Sequence, residues 1–310
     1  MAGATYYNTT YTIGNREGLT DTVADLFADD VPFFAAAEKI AATHPKHEWQ
    51  TDVLPSAVTT GVIEGADLSY AVNAARVRKY NYTQIRLRNW AISFTQLSVN
   101  VAGIKDQVGR EMMKSMKALL TDYDKRFLSS GIGTPGATVT KARLAYGIQK
   151  AITTNTGRGS SAGGAVPQAL TESKVNALLQ KIWAQGGDPR ALYCGAYQKR
   201  VISTNFTAKT GFSFRIEASA RMAIANINKY EGSFGTLDII PDRQAKPTDI
   251  VIVTPDHVKV AVLRDIEQYK GAPTASSVKG WVEAEMTLQW GNHLAHGKQT
   301  HLKTASVAGV

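Results

Sequence analysis

Leu54-Pro-Ser-Ala-Val-Thr-Thr-Gly-Val-Ile-Glu-Gly-Ala-Asp-Leu-Ser-Tyr70 is the stretch on which the fold turns. Its scattered apolar residues follow neither the 3.6-residue period of a helix nor the alternation of a strand. Two strand-like segments, His47 to Val53 and Tyr80 to Leu97, lie on either side of it. Ordering so long a connection costs conformational entropy that its own contacts cannot offset, and compact domains seldom carry one without a use. The segment reads as a long arm built to lie on another subunit.

Working outward, the return limb Tyr82-Thr-Gln-Ile-Arg-Leu-Arg-Asn-Trp-Ala-Ile-Ser-Phe94 alternates through Ile85, Leu87, Ile92 and Phe94, which predicts a strand. Arg86 and Arg88 share the opposite face. From Arg76 to Arg88, cations interleave with Tyr80 and Tyr82. Cationic and aromatic side chains together can hold a phosphate backbone and stack bases, which gives one reading, a nucleic-acid-binding segment over 76–88. The same residues can pair with acids such as Glu64 and Asp67 on a neighbouring copy, where complementary charge fixes register. No DNA- or RNA-binding motif accompanies them, so the protein contact is preferred. The candidate intersubunit residues are therefore Trp49, Glu64, Asp67, Arg76, Arg78, Lys79, Arg86 and Arg88.

Before the arm, Asp21 to Phe27 places Val23, Leu26 and Phe27 on one helical face, and Val31-Pro-Phe-Phe breaks and restarts the pattern. After it, Ile104, Val108, Met112, Met116, Leu119 or Leu120, Tyr123 and Phe127 recur at helical spacing, so Gly103 to Leu128 is the longest predicted helix. A shorter helix is expected over Ala142 to Thr153, then a flexible surface loop at Thr156-Gly-Arg-Gly-Ser-Ser-Ala-Gly-Gly. Thr171 is placed to cap a helix whose stripe is Val175, Leu178, Leu179, Ile182 and Trp183. Ala191 to Gly195 reads as a short buried strand and Ala196 to Phe206 as a helix. Further strands fall at Thr236–Ile240, Ile250–Thr254 and Val258–Leu263. In Val282 to Trp290, apolar residues alternate strictly with Glu283, Glu285, Thr287 and Gln289, predicting one buried face and one facing solvent or a partner. The sum is an α+β chain with helices and antiparallel strands segregated and no βαβ repeat.

The 310 residues, 44% of them apolar, suffice for a sizeable core. A formal charge of +9 is spread among many acids, so a solvated surface with a modest basic bias is favoured over a polyanion-binding protein. No basic-then-apolar leader precedes Gly14, and no apolar run reaches the ~18 residues of a membrane span. The one cysteine, Cys194, excludes an internal disulfide and reads as a small packing residue. His293, His296 and His301 match no standard zinc spacing and read as polar residues at a strand end. The glycine-rich loop lacks the Gly-Lys-Ser or Gly-Lys-Thr ending of a phosphate loop, and no nucleophile elbow is present. No catalytic, cofactor-binding or metal-binding residue is expected, and the chain reads as a non-enzyme.

Several runs resemble the major capsid (head) proteins of tailed bacteriophages: Gly14-Asn-Arg-Glu-Gly-Leu-Thr-Asp, Val31-Pro-Phe-Phe, His47-Glu-Trp-Gln-Thr-Asp, Ile63-Glu-Gly-Ala-Asp and Asn81-Tyr-Thr-Gln-Ile. Trp183-Ala-Gln-Gly-Gly-Asp-Pro, Phe234-Gly-Thr-Leu-Asp-Ile-Ile-Pro-Asp-Arg and Asn292-His-Leu-Ala-His-Gly follow in the same order, while 137–169 and 207–228 match least. The resemblance implies a Hong Kong 97-type fold with an N-terminal arm (1–45), an extended loop (46–97) and a peripheral domain (98–170) containing a spine helix (103–128). An axial domain (171–260) and return strands of the peripheral domain (261–310) complete it. It further implies hexamers and pentamers that tile an icosahedral head around double-stranded DNA and expand on maturation. A virion location after assembly in the host cytoplasm is implied, as are a separate scaffolding protein, a portal and a possible decoration protein. Neither a cofactor nor a membrane is implied, and no covalent cross-link is expected.

Overall fold

The computed structural model describes residues 30–67, 74–99, 104, 106–136, 138, 140–158, 167–209, 228–272 and 275–304. The helical face expected over Asp21 to Phe27, and most of the glycine-rich loop, lie outside them.

Two sheets share one core. The first has the order β1-β10-β11-β4, from β1 (Glu38–Ala41), β4 (Gln84–Ser93), β10 (Lys259–Lys270) and β11 (Ser277–Gln289), with β1 parallel to β10 and the remaining pairs antiparallel. α3 (Gln107–Leu128) lies across β4 and β11 and buries Leu119, Tyr123 and Phe127 at i, i+4 spacing. Tyr123 fastens helix to sheet: its hydroxyl donates to the carbonyls of Gln84 (2.9 Å) and Ala284 (2.7 Å) on adjacent strands. α1 (Pro32–Ala36), started by Pro32 in its first turn, drives Phe34 against Tyr123 and Phe127 and Phe33 edge-on against Tyr193.

The second sheet runs β5-β12-β9-β6-β8-β7, from β5 (Thr156–Arg158), β6 (Ala191–Cys194), β7 (Lys229–Gly232), β8 (Gly235–Pro241), β9 (Ile250–Val253) and β12 (Gly297–Thr300). β6 and β9 are buried on both faces, hence their unbroken apolar runs. Tyr193, Val251 and Val253 face the core around α3, while Leu192, Cys194, Ile250 and Ile252 face a second core with α5 (Glu172–Ala184) and α6 (Ala196–Lys209). A two-stranded hairpin of β2 (Lys46–Thr51) and β3 (Val77–Tyr82) projects from the first sheet. Two short helices, α2 (Phe94–Ser98) and α4 (Ile148–Ala151), complete the set.

Several expectations need correction. β4, placed by the sequence in the extended segment, is a strand of the first sheet, because Trp90 and Ile92 are buried there and its ladder is filled by β11. Its arginine face turns toward α3, and Ile85 and Leu87 turn outward. β12 joins β9 and β5 rather than returning to β10 and β11. Among the described residues three strand pairs are parallel, and between the strands of one of them, β6 and β8, the chain passes through α6 and β7. β1 was not anticipated. The long helix begins at Gln107, capped by the Asp106 carboxylate accepting the Gly109 N–H at 2.9 Å. The helix expected over Ala142–Thr153 shrinks to Ile148–Ala151, since Leu144 is taken up in an antiparallel bridge with Thr134 and the backbone is extended at both Gly147 and Ile152. Thr171 occupies its cap position without a side-chain hydrogen bond, and Trp183 leaves the buried stripe, 62% exposed. The polar face of β11 is covered at its centre, where Glu285 and Thr287 are buried.

Candidate intersubunit surface

The hairpin is fastened at its root by side-chain contacts to the end of β11 and the turn after it. His47 Nε2 lies 2.7 Å from Gln289 Oε1, Trp49 Nε1 donates to the Gly291 carbonyl at 2.8 Å, and the Trp49 ring stands edge-on to Trp290 at 4.8 Å. Asn81, wholly buried, closes the other strand. Its Nδ2 donates to the carbonyls of Leu288 (2.6 Å) and Tyr146 (3.3 Å), and its Oδ1 accepts the N–H groups of Tyr82 and Tyr146, both at 2.8 Å. Thr83 then donates to Glu285 Oε1 at 2.6 Å. Buried Glu285 also receives Arg143 at 2.5 Å and Arg264 at 3.3 Å, so its charge is matched inside the chain.

Beyond Thr51 the anchoring stops. Val53, Leu54, Val58, Val62 and Ile63 are all exposed, Leu54 at 91% and Ile63 at 83%. Single apolar residues are common on soluble surfaces, whereas here five are exposed within one segment that makes no core contact of its own. Glu64 and Asp67 are exposed beside them.

The eight candidate residues fall into two groups. Trp49 belongs to the root of the hairpin, with its indole N–H and ring both used within the chain. Arg88 reaches Asp122 of α3 through two hydrogen bonds of 2.7 and 2.6 Å; with the carboxylate holding it, its guanidinium is shifted further upward from an already high value. Half-buried Arg86 bears on Tyr123 and Arg126. Arg78 reaches Glu48 at 3.4 Å and Arg76 reaches Asp52 at 3.5 Å, both on exposed surface. Lys79 lies opposite Trp49 in the hairpin and acts electrostatically on His293. The acids across from these cations thus include residues of the same chain, Glu48, Asp52 and Asp122. Glu64 and Asp67 lie exposed in the segment between β2 and β3, beside the apolar run.

The exposed apolar run was visible in the sequence as aperiodic hydrophobicity, yet none of those residues was singled out. Asn81 was also missed. It opens one of the runs that carry the family resemblance and is a small amide between two tyrosines, neither of which points to its buried role.

Chemistry-bearing side chains elsewhere are structural. His296 is buried with both ring nitrogens committed: Nε2 donates to the Trp290 carbonyl at 2.8 Å and Nδ1 accepts the Thr254 N–H at 3.3 Å. Burial pushes this imidazole down to about 4, so it stays neutral. It is a core residue rather than a polar strand end. Burial likewise pushes the Cys194 thiol up to about 12, which leaves no thiolate for chemistry. Among the described residues no three His, Cys, Asp or Glu side chains group as a metal site, and no helix is long and apolar enough to cross a membrane.

Solved structures share this architecture. The capsid protein of cyanophage A-1(L) superposes with a TM-score of 0.69 at 10% identity, covering 94% of this chain and 98% of that one. A Mycobacterium phage Adephagia chain gives 0.63 at 13% identity, covering 98% and 100%. A chain of the encapsulin SrpI from Synechococcus elongatus PCC 7942 gives 0.57 at 8% identity, covering 93% and 95%. Identities this low establish the fold alone, which is the Hong Kong 97-type fold. None of the curated proteins matches in sequence. The family model of the SU10 major capsid protein matches residues 5–303, nearly the whole chain, so this chain belongs to the SU10 major capsid protein family and is a phage capsid subunit, a structural part of the virion shell.

Proposed function

We propose that copies of this chain associate head to tail into closed five- and six-membered rings, and that these rings tile an icosahedral head around double-stranded DNA. A heterologous contact generates a ring when its rotation closes, and it needs a projecting surface on one copy and a receiving surface on the next. The observation that carries the reading is the contrast within the hairpin, fixed at its root by Trp49 and Asn81 and apolar along an exposed projecting segment.

In this reading β2, β3 and residues 52–76 form the extended loop, α3 is the spine helix of a peripheral domain built on the first sheet, and the second sheet with α5 and α6 is the axial domain. The loop lies over the peripheral domain of the next copy. Leu54, Val58, Val62 and Ile63 lose water there, while Glu64 and Asp67 meet cations of the neighbour. Expansion during DNA packaging, assembly with a scaffolding protein and a portal in the host cytoplasm, and the absence of a covalent cross-link belong to the same proposal. A decoration protein accompanies the phage G major capsid protein, whose fold this chain shares, and a comparable partner outside the shell fits this reading.

Electron microscopy of the full chain, expressed with its scaffold, tests the proposal. Wild type should give uniform shells. Val62→Asp with Ile63→Asp should leave the subunit's thermal unfolding unchanged, because both side chains touch little of their own chain, yet yield no shells. Shells from that double variant would remove the loop from the assembly interface. Exchanging Arg88 would be a poorer probe, since it breaks the intrachain pair with Asp122.

A further inference from the structure

Two carboxyl groups lie buried against each other where the two sheets meet. Asp124 stands on α3, Asp242 in the turn after β8, and solvent reaches neither. One oxygen of each has a partner: Asp124 Oδ1 accepts the Phe34 N–H at 2.8 Å, and Asp242 Oδ1 accepts the Gln244 N–H at 2.7 Å. The remaining oxygens, Asp124 Oδ2 and Asp242 Oδ2, have no donor among the described residues, although the two carboxyls stand within hydrogen-bonding reach of each other. Among the described residues, Asp30 ahead of α1 bears on the pair, and the pair in turn bears on Tyr193 and Cys194 of β6. Lys125 and Arg243, the next residues in sequence, line the open pocket between Leu128 and Pro247 and donate to neither free oxygen. Asp30, Tyr193 and Cys194 are an acid, a hydroxyl and a thiol, and among the described residues no cation donates to either orphaned oxygen. Two ionised carboxylates in such a place would be buried, unpaired and mutually repelling.

We propose that Asp124 and Asp242 share one proton between their Oδ2 atoms, and that this proton latches α3 and α1 to the turn that ends β8. A single proton satisfies both orphaned oxygens at once: the protonated acid donates its O–H and the partner carboxylate accepts. The latch joins three segments distant in sequence, since Asp124 also holds the Phe34 backbone that places the aromatic ring of α1 in the core. Burial, reinforced by the facing Asp242 charge, raises the Asp124 carboxyl to about 8, and burial raises Asp242 as well. The pair titrates as a unit. An unfolded chain releases this proton near pH 4, as an ordinary aspartate does, whereas the folded chain retains it to about pH 8. The contribution of the latch is therefore complete below about pH 4, declines as pH rises, and is gone above about pH 8. Above that point the two carboxylates repel each other across the junction between α3 and the turn after β8.

Infrared spectroscopy of the full chain, with aspartate isotopically labelled at its carboxyl carbon, tests the latch directly. At pH 7 wild type should show the carbonyl band of a neutral aspartic acid, and the band should disappear between pH 7 and 9. Asp124→Asn imitates the protonated side chain, its Oδ1 accepting from Phe34 and its Nδ2 donating to Asp242. This variant should lack the band, and its melting temperature should lose the decline that wild type shows from pH 6 to 9. Asp242→Asn should behave alike, which keeps the comparison open if one variant fails to fold. Absence of the band from wild type at pH 7 overturns the proposal, whatever the variants do. So does a melting temperature that rises on adding Mg²⁺ or Ca²⁺ to wild type but not to Asp124→Asn, which would make the pair a cation site.

Discussion

Asn81 satisfies four backbone groups from one buried position, two as donor and two as acceptor. Asn81→Ala should therefore cost about 2–4 kcal/mol, because each buried polar group left without a partner costs ~1–3 kcal/mol and relaxation recovers only part. The check is a lower urea midpoint with an unchanged m-value. The buried proton between Asp124 and Asp242 belongs to the same scale, as a second place where a polar side chain is retained in the core under strict hydrogen-bonding terms. Such residues were nearly illegible in the sequence. Asn81 sat in a run read for its cations and tyrosines, and Asp124 was one acid among several on an amphipathic helix. A residue's type is written in the chain, but whether it meets water or a carbonyl is set by segments far away: Leu288 and Tyr146 for Asn81, Phe34 and Asp242 for Asp124. The arginines show the same thing in reverse, since the acids that meet Arg76, Arg78 and Arg88 lie within the chain and only folding brings them near.

α3 is the element whose period was plainest, and its face from Leu119 to Phe127 lies where the spacing places it. What the period left open is how tightly helix and sheet are fixed. The Tyr123 hydroxyl bonds two strands at once, so Tyr123→Phe should lower stability by about 1–2 kcal/mol with no change in helix content by circular dichroism. β11 shows the limit of strand patterning. Its alternation set one buried face, Val282 to Leu288, but Glu285 and Thr287 are buried on the other because neighbouring elements cover the centre of the sheet there. Glu285→Leu removes the anion that holds Arg143 and Arg264 and leaves Thr83 without its acceptor. A loss of about 2–4 kcal/mol is expected, again read from the urea midpoint.

At the scale of the molecule, the core around α3 includes Tyr193, Val251 and Val253 of the second sheet, so neither sheet is finished without the other. The dissociated subunit should consequently unfold in one transition, with tryptophan fluorescence and far-ultraviolet circular dichroism giving coincident curves in urea. Two separate midpoints would show that the sheets fold independently. The sequence by itself determined the α+β class, the long helix, most central strands and the segment that no intrachain core could complete. These follow from local periodicity and from the entropy of ordering an aperiodic run, both of which are properties of neighbouring residues. The tertiary structure alone decided that β4 leaves the extended segment for the first sheet, that β12 crosses to the second, and that Trp49 anchors the root of the hairpin. Strand pairing and side-chain partnership depend on which surfaces are free once the helices have docked, and that is a property of the whole chain.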